Sequence, residues 1–242
     1  MSDDSALTGQ TVVLIGGSAG IGLATARRAR AAGADVILTG RNPDRLAAAA
    51  DAVGAHRTAA FDATDPDALA RFFDDLPDHI DHILVTAGGP SYVPMLEMSD
   101  DDVREALSGH AVLGLAVARH ATTAVNPTGS LILMGGTGGR RIDHRIGIVS
   151  AATAVLPPFT AALALELAPV RVNLIAAGFV DTPLSATLLG DRLETRRAEL
   201  AETLPIGRVV TADDVAALAI HLMVNTALTG ATYDIDGGQQ FV

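Results

Sequence analysis

The chain has 242 residues, 49% of them hydrophobic, with 17 Lys plus Arg against 28 Asp plus Glu and a formal charge of −11. That length allows one large domain or two small ones and is ample for a buried core. The negative field disfavours phosphate backbones as partners, and the absence of Cys excludes disulfides, thiol nucleophiles and cysteine-ligated metals.

The first ten residues, MSDDSALTGQ, carry two acids and no basic stretch, so no secretory signal is expected. Apolar runs are short or broken by Gly and Pro, so no membrane span is expected either. The expectation is a soluble cytoplasmic protein.

Strand-like and helix-like segments alternate from there on. Strands are predicted at 11–16, 35–39, 56–61, 82–86, 129–134, 170–175 and 232–235. Helices are predicted at 21–32, 44–53, 66–76, 100–123, 149–167, 193–203 and 212–225. Residues 176–190 read as a loop. Ser99 and three following Asp complement the positive end of the fourth helix. Pro157 and Pro158 inside the next helical pattern predict a kink or break. This alternation implies one α/β domain over residues 1–242, a parallel sheet with helices on both faces.

Where the first strand meets the first helix lies Gly16-Gly17-Ser18-Ala19-Gly20-Ile21-Gly22. In a strand–turn–helix, Gly permits a tight turn and lets the backbone approach a pyrophosphate, while the helix N-terminus offers free N–H groups. A tight turn with no ligand is the alternative. The end of the second strand should meet the adenosine ribose. There Gly40 and Arg41, with Arg45 a turn later, replace the carboxylate that selects a free 2′-hydroxyl. An Arg pairs with a 2′-phosphate, so NADP(H) is read over NAD(H). Asp62 could accept from the adenine amino group or cap a helix.

These residues resemble the short-chain dehydrogenase/reductase family over nearly the whole chain. Gly16–Gly22 is similar to its T-G-x-x-x-G-x-G turn, with Ile15 in the Thr place, and Val85-Thr86-Ala87-Gly88 to its N-N-A-G. Ala164-Leu165-Glu166-Leu167-Ala168 followed by Arg171-Val172-Asn173 resembles A-x-E-L-A and R-V-N. Gly178-Phe179-Val180-Asp181-Thr182-Pro183 resembles G-F-V-x-T-P. The resemblance implies a Rossmann-type, doubly wound, seven-stranded parallel sheet, a nicotinamide nucleotide, and a homodimer or homotetramer. It implies that Gly16, Gly20 and Ile21 hold the pyrophosphate, with Ser18 and Gly22 also in the coenzyme site, Arg41 a 2′-phosphate and Asp62 the adenine. Ala87 and Gly88 would meet the ribose side, and Val180 and Thr182 the nicotinamide end.

The family's proton relay needs Tyr, a Lys four residues on, a Ser and an Asn. By register these positions hold Val149, Thr153, Gly136 and His110, with Ala111 one slip away. None of the four is retained, and the chain contains no Lys. Other acids remain as candidates: His110, His144, Tyr92 and Thr137. Structural roles are the alternative for each His. No metal site is expected. Arg140, Arg141, His144 and Arg145 form a cationic cluster that could bind an anionic substrate or simply be solvated.

Three functions fit these observations. The first is an NADP(H)-dependent oxidoreductase with a non-standard site. The second is a catalytically silent nucleotide-binding regulator or structural paralogue. The third is a redox-neutral isomerase or cyclase.

Overall fold

The computed structural model describes residues 5–90, 92–140 and 146–242. Nine strands are present among these residues: β1 (Thr11–Ile15), β2 (Asp35–Gly40), β3 (Arg57–Ala60), β4 (Ile80–Val85), β5 (Val125–Gly136), β6 (Arg171–Ala177), β7 (Val180–Asp181), β8 (Val210–Thr211) and β9 (Thr232–Ile235). Nine α-helices separate them: α1 (Gly20–Ala31), α2 (Pro43–Val53), α3 (Pro66–Asp74), α4 (Asp100–Ala124), α5 (Gly147–Ala154), α6 (Leu156–Glu166), α7 (Pro183–Leu189), α8 (Leu193–Thr203) and α9 (Ala212–Val224).

Seven strands form one parallel sheet in the order β3-β2-β1-β4-β5-β6-β9, and β7 pairs with β8 apart from it. The fold class expected from sequence is therefore the one observed. The strands bury both faces, as a parallel sheet must. In β1, Val13 and Ile15 pack into the core shared with α3, α4 and α6. Their neighbours Val12 and Leu14 pack into the opposite core, shared with α1, α2 and α9. Strand order reverses between β1 and β4, and the crevice at their carboxyl ends is where a doubly wound sheet binds ligands.

The proline prediction holds. The apolar run splits at Val155 into α5 and α6, with Pro157 and Pro158 in the first turn of α6, where a missing N–H costs nothing. Taken together, Gly147–Glu166 is long and apolar enough to cross a membrane by length and composition. In the fold it carries Ile148, Ala152, Leu156 and Leu163 into the interior.

One assignment needs correction. Residues 176–190 are no plain loop: β6 runs on to Ala177, β7 follows, and α7 occupies 183–189. Thr182 caps α7 by accepting from the Ser185 N–H at 3.3 Å, and Pro183 fills its first turn. Those two signals mark a helix start.

The R-V-N segment is structural. Arg171 is buried and donates to the Leu222 and Met223 carbonyls at 2.6 and 2.7 Å, closing the C-terminus of α9. Asn173 donates to the Leu228 carbonyl at 2.8 Å.

Candidate cofactor and substrate site

The glycine turn is fixed by backbone contacts. Gly17 N–H donates to the Thr39 carbonyl at 2.9 Å, while Thr86 and Ala87 N–H groups both donate to the Ile15 carbonyl at 2.8 and 3.0 Å. Gly16 has φ +102°, and a β-carbon there would lie 2.6 Å from Thr86 Oγ1 and 2.8 Å from Ala87 N. At Gly22 a β-carbon would overlap the Gly16 carbonyl and lie 2.9 Å from Thr86 Oγ1. Only glycine fits either place. Thr86, where the family has Asn, donates its hydroxyl to the Gly16 carbonyl at 3.0 Å.

The residues present fit a nicotinamide dinucleotide. The cap of α1 is Ala19, whose side chain accepts nothing, so the first N–H groups of α1 remain available to an anion. No carboxylate lies within Gly16–Gly22. A β-carbon at Gly40 would stand 2.9 Å from Ser18 Oγ, so Ser18 sits beside the end of β2 where Arg41 begins. Arg41 is exposed and makes no ion pair among the described residues. Asp62 accepts from Thr64 N–H and Oγ1 at 3.0 and 2.8 Å. These bonds, and then Arg41, hold its carboxyl below the usual range. It is not the helix cap; Asp65 caps α3. Across the crevice, a β-carbon at Gly20 would approach the Thr182 side chain to 3.5 Å, bringing the turn and the start of α7 together.

Beyond this cradle opens a cavity of about 500 Å³. Ile21, Thr86, Gly88, Val180 and Thr182 line its cofactor side, and Gly136, Thr137, Val149, Thr153, His110 and Tyr92 its far side. The register-based positions thus come together, with Ala87 half-buried just outside. A β-carbon at Gly136 would lie 3.2 Å from the Thr153 methyl, and one at Gly138 would lie 3.7 Å from Val149 Cγ1. The Thr153 hydroxyl turns back into its own helix, donating to the Val149 carbonyl at 2.9 Å. This wall is formed by Gly136, the Thr153 methyl and Val149, none of which carries an ionisable group.

Two titratable groups remain on that side. The half-buried His110 ring lies 3.6 Å from where a Gly88 β-carbon would stand. Burial pushes its pKa below the ordinary value, so the imidazole is neutral at neutral pH. Burial pushes the Tyr92 phenol up, and Arg196 partly opposes this. Thr137 is buried at the cavity edge.

Of the cationic cluster, only Arg140 lies among the described residues. Arg140 does not line the cavity; its guanidinium pairs with Asp234 on β9. Arg141, His144 and Arg145 lie outside the described residues. Arg192 and Arg196, at the start of α8, do line it. Sequence reasoning passed over them because an Arg-rich polar helix reads as a solvated face. Among the described residues no cluster of His, Asp or Glu could hold a metal.

The architecture and the crevice define a dinucleotide-binding α/β protein, and comparison with known proteins narrows the class. A family profile described as enoyl-(acyl carrier protein) reductase matches residues 15–240. The chain belongs to the short-chain dehydrogenase/reductase family. It is 31% identical over 256 residues to 3-oxoacyl-(acyl-carrier-protein) reductase FabG of Chlamydia pneumoniae, covering 97% of this chain and 98% of that one. The structure of MalC reductase/Diels-Alderase from Malbranchea aurantiaca superposes with a TM-score of 0.88 at 24% identity, covering both chains fully. A small-chain dehydrogenase solved in complex with NADPH superposes at 0.82 with 24% identity, covering 96% and 99%.

Proposed function

We propose that the protein is an NADP(H)-dependent oxidoreductase in which no proton is delivered from the family's Tyr position. The observation that carries the coenzyme part is Ser18 against Gly40 at the end of β2, where exposed Arg41 follows and no carboxylate stands, beside an uncapped helix N-terminus. The family's nicotinamide chemistry and the NADPH held by one protein of this fold support it.

When bound, the coenzyme supplies or accepts hydride. The first N–H groups of α1 hold the pyrophosphate, and Arg41 holds the 2′-phosphate. Val180 and Thr182 border the nicotinamide end. Val149 and the Thr153 methyl exclude water from the opposite wall. His110, neutral and lining the cavity, is placed to accept a proton there. Suitable substrates are carbonyls, imines or activated alkenes that reach His110 or need no strong acid.

Titration calorimetry with both coenzymes tests this reading. Arg41→Ala should weaken NADPH about 10- to 30-fold, or about 1.4–2 kcal/mol, and NADH by less than about 3-fold. Equal losses would remove the coenzyme preference, and no binding of either coenzyme would remove the reading itself.

The packed wall favours a second reading, a silent binder or a redox-neutral isomerase or cyclase on the same scaffold. The Malbranchea aurantiaca protein, described as both reductase and Diels-Alderase, is a precedent of this fold. NADPH at about 100-fold above Kd would then add about 2.7 kcal/mol of stability without being consumed.

A further inference from the structure

The charged lining of the cavity is one-sided. In a chain where acids outnumber Lys and Arg by 28 to 17, the cavity is lined by Arg192 and Arg196 and by no carboxylate among the described residues. The two arginines stand four residues apart across the start of α8, so both project from one helical face.

Their partners differ from those of the arginine that follows. Arg197 bonds Asp181 at 2.6 Å and also Glu194, which fastens α8 to β7. Arg196 has one ion-pair partner among the described residues, exposed Glu199, at 3.3 Å. Arg192 is exposed and has no ion pair among the described residues. One arginine therefore anchors the helix, while two present their charge at the cavity mouth. Apolar side chains share the lining: the buried Ile148 and Ala152 with Val149 on α5, and the exposed Leu184 and Leu188 on α7. At about 500 Å³ the space suits a small organic molecule.

We propose that the cavity takes a substrate with an apolar body and a carboxylate head, the carboxylate held by Arg192 and Arg196. Guanidinium groups bind carboxylates through paired N–H donors, and the apolar side chains that share the lining suit the substrate's body. This inference rests on reading the cavity as the substrate site and gives that site its substrate class.

The test is calorimetry with 4-phenylbutyrate and its uncharged amide, each with and without saturating NADP+. The acid should bind at least 10-fold more tightly than the amide. Arg192→Gln and Arg196→Gln should each weaken the acid about 10-fold and leave the amide within 2-fold. Glu199→Gln, which releases Arg196, should strengthen the acid. NADPH affinity should stay unchanged in all three variants, whose melting temperatures check folding. Equal binding of acid and amide under both conditions overturns the proposal. So does a loss of NADPH affinity in the Arg variants, which would assign these charges to the coenzyme. If the acid preference holds without coenzyme while NADPH fails to bind, only the oxidoreductase reading falls.

Discussion

The two sides of the crevice are built by different means. The cofactor cradle is made of backbone. Its contacts are N–H groups of Gly17, Thr86 and Ala87 on carbonyls of neighbouring strands, and its glycines are required because main chain or strand side chains occupy the space. The opposite wall is made of side chains. A β-carbon at Gly136 would meet the Thr153 methyl and one at Gly138 would meet the Val149 isopropyl group, and α5 keeps its backbone hydrogen bonds whatever those side chains are. A cradle of the first kind cannot change without damaging the sheet, whereas a wall of the second kind can be replaced outright. Gly16 and Gly22 therefore serve the fold as much as a ligand. Arg41, exposed and without a fold role, is the better witness for the coenzyme.

The cradle leans on β4 and the wall on its neighbour β5, so the largest expected effect is one that removes both together. His82 on β4 is buried, with Nδ1 at 2.8 Å from Ser130 Oγ and Nε2 at 2.8 Å from Gln10 Oε1. Burial lowers its pKa from 6.5 to about 4. Above pH 6.5 the ring is neutral folded or unfolded, and stability does not depend on it. As pH falls from about 6.5 to 4, the unfolded chain takes up the proton first, and about 3 kcal/mol of stability is lost. Urea titrations should show this loss in the wild type and a flatter limb between pH 6.5 and 5 in His82→Gln. An unchanged slope would remove His82 as the cause.

The next effect separates the two sides. Gly22→Ala places a β-carbon against the Gly16 carbonyl and should weaken NADPH at least about 100-fold, or about 2.7 kcal/mol. Gly138→Ala on the wall meets Thr153 Oγ1 at an ordinary 3.6 Å and should leave NADPH within about 2-fold. Comparable losses in both variants would erase the distinction between a backbone cradle and a side-chain wall.

The sequence made the sheet legible because strands buried on both faces, such as β1 and β4, are unbroken apolar runs between turn residues. The glycine turn was legible because its spacing sits at a strand–helix junction. α7 was missed because Gly178 and Pro183 read as loop punctuation, although Thr182-Pro183 with Ser185 is a helix start. Residues 125–128 of β5 were missed because Pro127 and Gly129 precede its hydrophobic run, and the ladder shifts register there. The empty relay positions could be counted along the chain. That Thr153 fills the space beside Gly136 could not be, because it depends on where α5 packs against the end of β5. Arg192 and Arg196 were hidden by composition, since nothing in the order of residues 192–203 says which face meets a cavity.

The smallest effect tests whether the wall is one unit. A β-carbon at Gly136 would sit 3.2 Å from the Thr153 methyl, and that methyl cannot rotate aside freely because the Thr153 hydroxyl is bonded to the Val149 and Ser150 carbonyls at 2.9 and 3.2 Å. Gly136→Ala should therefore cost about 1 kcal/mol by overpacking. Thr153→Ser removes the methyl and keeps the hydroxyl bonds, so in that background the same Ala should fit without this cost. A double-mutant cycle from urea midpoints should give a coupling of about 0.5–1 kcal/mol. Coupling of that size means that a side chain at position 136 and the methyl of Thr153 compete for the same space. Additivity within about 0.3 kcal/mol would instead make each substitution independent, and the wall would no longer be a structure in its own right.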